Sequence, residues 1–256
     1  MPTYAEYLKL DTLLAQQQPG SDHDEMLFIV IHQTYELWFK EILHELDYLQ
    51  RLLGNDDLPR AGHAMKRVLT ILKVLVAQID ILETMTPLEF LSFRTRLEAG
   101  SGFQSIQFRE LEFAVGHKRP APLDQFAPGS AERTRLERRF RAPSLWDWFA
   151  AFLAQRGQPI PNDVLQRDFS QPPAESAAMQ QILIKIYRTD PALAEFCERL
   201  VDLDEGLQEW RYRHVKMVER TIGTKAGTGG STGAEYLHST LLRPVFPDLW
   251  AIRTEF

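Results

Sequence analysis

Apolar residues recur along most of the chain at the three- and four-residue intervals of a helix, and no stretch alternates as a strand does. One long periodic segment covers residues 24–53. Ser21 or Asp24 stands ready to cap its start, and Gly54-Asn55 follows it as a stop. A second segment runs from Pro59 to Thr84. Thr86-Pro87-Leu88-Glu89 then reads as a capping box with proline at the first helical position. Ser144-Leu145-Trp146-Asp147 resembles another helix start, and Asp190-Pro191 opens a last long helix that stops at Gly223. There is no Asn-Gly hairpin and no internal repeat. Two proline-rich polar stretches, 117–130 and 156–176, interrupt the pattern and predict a small helical excursion around residues 118–175. Within it, ERTRLERRFR reads as a solvated or interface-facing helix. The expected fold is an all-α bundle, one domain over residues 1–256.

Two helical stripes carry candidate chemistry. On the first long helix, Phe28, His32, Tyr35 and Phe39 fall on one face. On the last, Leu203, Leu207, Trp210, His214 and Val218 do the same. Each stripe therefore places an imidazole on an apolar face. A satisfied core histidine is the simpler reading of either one alone. Two in a single bundle suit a haem between helices, with one axial histidine and a distal pocket holding another.

A rival reading pairs Glu41-x-x-His44 with Glu235-x-x-His238 as a di-iron carboxylate site. At about 100° per residue, Glu41 and His44 turn away from the apolar stripe, onto a polar face with Glu45. The glycine-rich run GTKAGTGGSTG raises the question of phosphate binding. Its spacing is wrong for a dinucleotide fingerprint and a helix, not a strand, precedes it. Lys225 stands ahead of Gly227, Gly229 and Gly230, whereas a P-loop lysine follows its glycines. What remains is a surface loop or a flap over a ligand.

Composition narrows the classes. The 256 residues are 44% hydrophobic and 25% charged, as in an ordinary globular chain. A net charge of −6 argues against non-specific nucleic-acid binding. One cysteine, Cys197, allows no intrachain disulfide and suits a reducing compartment. MPTYAEYLKLD lacks the pattern of a signal peptide, and the longest apolar run, MLFIVI, is too short to span a bilayer. A cytoplasmic protein without membrane attachment is expected.

Four long motifs, in order, give the chain a specific likeness: TYAEYLKLDTLL, HDEMLFIVIHQTYELWFKEILHEL, ILETMTPLEFLSFRTRLEAGSGFQSIQFRELE and WRYRHVKMVERTIGTKAGTGGSTGAEYL. The sequence resembles the tryptophan 2,3-dioxygenase family of all-helical haem enzymes over nearly its whole length. The resemblance implies a b-type haem in each subunit, with O2 and L-tryptophan as substrates. The implied product is N-formyl-L-kynurenine, at the first step of tryptophan catabolism by the kynurenine pathway. It implies His214 as the proximal haem ligand and His32 as a distal histidine accepting a hydrogen bond from the indole N–H. Phe28 matches an aromatic wall, Arg94 the group that binds the substrate carboxylate, and Thr228 a contact to the amino-acid end. Ser101 matches a serine on the haem side of the pocket. Phe90 stands where some relatives carry tyrosine and others phenylalanine, and Ile79 where relatives carry an aromatic residue near the haem. The family forms homotetramers as dimers of dimers, so residues 1–20, with Tyr4 and Tyr7, are expected to dock in a neighbouring subunit's site. Two alternatives stay open: a family branch that monooxygenates a modified tryptophan, and a helical interaction protein without haem.

Overall fold

Local side-chain chemistry sets most helix ends. The computed structural model describes residues 1–97, 100, 102–225, 238 and 241–256. Every regular element among them is helical. In chain order these are α1 (Tyr4–Leu8), α2 (Leu10–Leu14), α3 (Glu25–Gly54), α4 (Leu58–Leu82) and α5 (Pro87–Phe93), with a 3-10 turn at Arg94–Leu97. Then follow α6 (Ile106–Val115), α7 (Ala131–Arg141), α8 (Leu145–Gln155), α9 (Asn162–Leu165), α10 (Ala177–Thr189), α11 (Pro191–Ile222) and α12 (Pro247–Ala251). Thr86 accepts from the Glu89 N–H while the Glu89 carboxylate accepts from the Thr86 N–H, which is the expected capping box. Asp190 caps α11 by accepting from the Leu193 N–H, with Pro191 at its first position. Asp24 precedes α3 without a side-chain cap bond.

Periodicity then decides what packs. α3 and α4 lie together, α4 packs on α11, and α6 and α8 cover another side of α3. Leu46, Leu49 and Leu53 of α3 meet Met65, Val68 and Leu75 of α4 in a core that also takes in Leu200 and Leu203 of α11. The expected excursion divides in two. α7 buries only Leu136 and is held by its arginines: Arg135 to Glu110 at 2.5 Å and Arg139 to Asp47 at 2.7 Å. The Lys118 amine donates to the carbonyls of Arg139, Phe140 and Ala142 at 2.8–3.0 Å, closing the end of α7. By contrast α8 belongs to the main core, because Trp146, Phe149, Phe152 and Leu153 are all buried there.

Beyond α11 the chain returns to the same helix. The Asp204 carboxylate has no exposed surface and accepts from the Val245 N–H at 2.7 Å, the Phe246 N–H at 3.1 Å and the Trp250 indole at 2.9 Å. Three donors on one buried anion make charge-assisted bonds. Asp204→Ala leaves them without their acceptor, so it should lower the unfolding free energy by on the order of 3 kcal/mol. A urea titration reads this as a lower midpoint with an unchanged slope. An unaltered midpoint would show that the C-terminal segment holds by packing alone.

Candidate functional site

The first turns of α3 build one wall. The His32 ring lies one turn after Phe28, at 4.1 Å between centroids. Its Nδ1 sits 2.7 Å from the Phe28 carbonyl oxygen. A carbonyl only accepts, so Nδ1 carries the proton and donates, and the neutral ring keeps its lone pair at Nε2. Phe28 also meets Phe93 at 5.5 Å and Phe90 at 5.9 Å. These two lie three residues apart on α5 and touch each other edge to face at 5.5 Å. Phe93 is fully buried and anchors the helix whose end leads directly into half-buried Arg94.

The second wall belongs to α11. His214 stacks on Trp210 one turn earlier, at 5.2 Å and an interplanar angle of 12°. Trp210 is in turn fixed by Phe108 at 4.8 Å, Tyr35 at 6.2 Å and Phe39 at 6.3 Å. The Tyr35 hydroxyl donates to the Leu75 carbonyl at 2.7 Å, so one tyrosine joins α3, α4 and α11. Among the described residues, no hydrogen bond reaches either ring nitrogen of His214. Burial, with smaller contributions from the nearby His32 and Arg109, lowers its pKa to about 4. The His32 pKa is lowered too, mainly by burial, against the opposing pull of the Phe28 carbonyl and Glu36. The His32 side chain itself is exposed. Protein packed around it over a wider radius is what lowers its pKa.

Behind this wall lies a buried ionic network. Glu112 of α6 pairs with Arg109 at 2.5 Å, Arg119 at 2.9 Å and Arg211 at 2.9 Å. Burial alone would raise its pKa, but the three guanidiniums outweigh that and hold it at about 2. Arg211 also donates to His117 Nε2 at 2.9 Å. Burial, reinforced by the Arg211 charge, pushes His117 down to about 3. The network ties α6 to α11 one residue after Trp210.

The structure therefore gathers Phe28, His32 and Phe90 on one side and His214 on the other, with Arg94 at the end of α5. Tyr4 and Tyr7 are 77% and 76% exposed on α1, which buries none of its residues. Ser101 and Thr228 lie outside the described residues, as do Glu235 and most of the glycine run. Glu45 differs from its expected place on a polar face: it is buried and paired with Arg67 at 2.5 Å. Among the described residues no three His, Cys, Asp or Glu side chains group as a metal site. Ile79 is buried in the main core. Reading the sequence missed Phe93, Phe108 and the Glu112 network. The one available signal was Arg109 three residues before Glu112 on α6.

The family model described as Tryptophan 2,3-dioxygenase matches residues 1–128 and 166–256. A tryptophan 2,3-dioxygenase of Herpetosiphon aurantiacus is 60% identical, covering 99% of this chain and 98% of its own. One from Anaeromyxobacter sp. strain K is 54% identical over 98% of this chain and 95% of its own. One from Caulobacter vibrioides is 46% identical over 99% and 98%.

Three imidazoles that the surrounding protein keeps neutral set an acid limit on the fold. In the unfolded chain a histidine takes up its proton near pH 6.5. In the folded chain His214 resists until about pH 4 and His117 until about pH 3, and His32 is also lowered. Below pH 6.5 the unfolded state therefore binds more protons, and stability falls as pH drops. The metal-free protein should show little change in urea midpoint between pH 7 and 8 and a steady decline from pH 6.5 towards 4. His117→Gln should flatten part of that decline. A midpoint that stays level down to pH 4.5 would contradict the burial of neutral rings.

Proposed function

The chain belongs to the tryptophan 2,3-dioxygenase family, and from that premise we infer that it opens the C2–C3 bond of the L-tryptophan indole ring with O2. The product is N-formyl-L-kynurenine, and the cofactor is haem. The observation that carries the reading is a pair of uncharged imidazoles where α3 and α11 meet, one with its tautomer fixed by a carbonyl.

His214 suits haem iron. Its ring is neutral, keeps accessible surface, has no hydrogen bond among the described residues, and is oriented by its stack on Trp210. When bound, the haem supplies the binding and activation of O2. A b-type haem fits, since the single cysteine, Cys197, is buried and cannot form a pair of thioether links. The same buried thiol agrees with a reducing, cytoplasmic setting. No helix among the described residues is long and apolar enough to cross a membrane.

The remaining roles concern substrate. With Nδ1 committed to Phe28, His32 offers only Nε2, which accepts from the indole N–H. Phe28, Phe90 and Phe93 form an apolar face for the ring. Phe90 brings no hydroxyl, so recognition of the carboxylate rests on the Arg94 guanidinium, whose fork matches two oxygens. By resemblance, Thr228 closes on the amino-acid end and Ser101 lines the haem side. Tyr4, Tyr7, Leu13 and Leu14 expose apolar surface on the N-terminal segment. That segment docks in a neighbouring subunit's site, in a homotetramer built as a dimer of dimers.

Two experiments test the reading. Turnover of tryptophan with labelled O2 should place both labelled atoms in the product. His214→Ala should fold yet purify without the Soret band of the parent. Incorporation of a single labelled atom would assign the chain to a monooxygenating branch, and a full Soret band in the variant would remove His214 as ligand.

Recognition of the carboxylate has its own test. Arg94→Met should lose about 30- to 1,000-fold in kcat/KM on tryptophan, corresponding to about 2–4 kcal/mol for a buried charge-assisted pair. Tryptamine has no carboxylate, so the variant should lose little further activity on it. Equal losses on both substrates would assign Arg94 to the fold instead.

A further inference from the structure

The N-terminal segment, the start of α3 and the turn that carries Arg94 meet at one side chain. Arg96 donates from Nη2 to Asp22 Oδ2 at 2.6 Å and to Glu25 Oε2 at 2.7 Å. The same Glu25 oxygen accepts from the Gly20 backbone N–H at 2.6 Å. The partners are far apart in sequence, so the ion pairs fix tertiary geometry. Gly20 is pressed against both: a Cβ there would lie 2.9 Å from Glu25 Oε2 and 3.0 Å from Arg96 Nε. Glycine is the residue that fits so near an approach.

The placement matters for the site. Glu25 is the first residue of α3, which carries Phe28 one turn on and His32 a turn later. Arg96 shares a 3-10 turn with Arg94, two residues apart, immediately after Phe93. The two sides of the substrate pocket thus depart from the two ends of one ionic clasp. An isolated pair of this kind contributes little stability, since Arg96 is 39% exposed and Asp22 27%. Its effect lies in geometry: a guanidinium held by two carboxylates keeps its turn in one orientation.

We propose that Arg96 is a positioning residue for the reaction, clasping Asp22 and Glu25 so that Arg94 faces the substrate carboxylate while the indole sits against Phe28 and His32. This rests on the assignment of Arg94 to the carboxylate. Lysine at position 96 keeps a charge but lacks the planar fork, so it satisfies the two carboxylates less well. Asp22 is also the root of the N-terminal segment, so the clasp sets the point from which that segment leaves its own subunit.

The test compares the holoenzyme with Arg96→Gln, Arg96→Lys and Arg94→Met on tryptophan and tryptamine. Arg96→Gln should raise KM for tryptophan roughly tenfold, change kcat less than KM, and leave the haem spectrum and thermal midpoint near those of the parent. KM for tryptamine should stay within about twofold, and Arg96→Lys should fall between parent and Arg96→Gln. Equal rises on both substrates, or no rise on tryptophan, would overturn the proposal. If Arg94→Met raises KM for tryptophan and Arg96→Gln does not, only the clasp fails. If Arg94→Met changes nothing, the carboxylate assignment fails and the clasp with it. Should Arg96→Gln not fold, Asp22→Asn carries the same comparison at the outer end of the clasp, with a smaller shift in the same direction.

Discussion

The hydrogen bond from His32 Nδ1 to the carbonyl of Phe28, one turn earlier on α3, decides which nitrogen of that ring carries the proton. A helix interior normally commits every carbonyl to the N–H four residues on. Near the N-terminus of α3 a side-chain donor shares the acceptor. The tautomer is therefore set by the backbone of the helix itself and needs no partner from elsewhere. Burial completes the arrangement by keeping the ring uncharged. A neutral His32 with its lone pair at Nε2 is an acceptor for an N–H donor; a protonated ring in the same place would repel one.

The second imidazole is held differently. Neither nitrogen of His214 has a hydrogen bond among the described residues, so its orientation comes from stacking on Trp210. Trp210 needs its own support, and that support is aromatic on three sides. The polar support lies one residue further, at Arg211. Glu112 and His117 hold that guanidinium from α6 and the segment after it. A buried ion network adds little net stability compared with apolar packing, but it is intolerant of displacement, because any shift leaves a charge unmatched. It therefore suits a place where one helix must keep its rotation relative to another.

Most helix boundaries were legible because they depend on neighbours in sequence. The Thr86–Glu89 box, the Asp190 cap with Pro191, and the stop at Gly54 are each settled within a few residues. Both histidine stripes were legible for the same reason. Glu45 and Glu112 were not. A glutamate on a helix looks solvated until its cation is known, and here the cations that other helices bring are Arg67 for Glu45 and Arg211 for Glu112. α8 was underrated because proline-rich stretches flank it. Those prolines terminate helices and say nothing of whether the apolar LWDWFAAFL between them turns inward.

The aromatic residues form two groups with different duties. Phe28, Phe90 and Phe93 make one, and Tyr35, Phe39, Phe108 and Trp210 make the other. His32 ends the first and His214 ends the second. Rings have two side-chain torsions and large contact areas, so a cluster of them loses little entropy on becoming rigid. Two ring clusters that share α3 hold their histidines on α3 and α11, at a separation set by the packing of α4 against both helices. Tyr35, like Met217, packs against both hydrophobic clusters: its ring meets Trp210 and its hydroxyl bonds to α4. Its place seven residues after Phe28 on one face of α3 connects the two groups. Because of that connection, a shift in the bundle would move both histidines together, so the geometry between them follows from core packing rather than from loops.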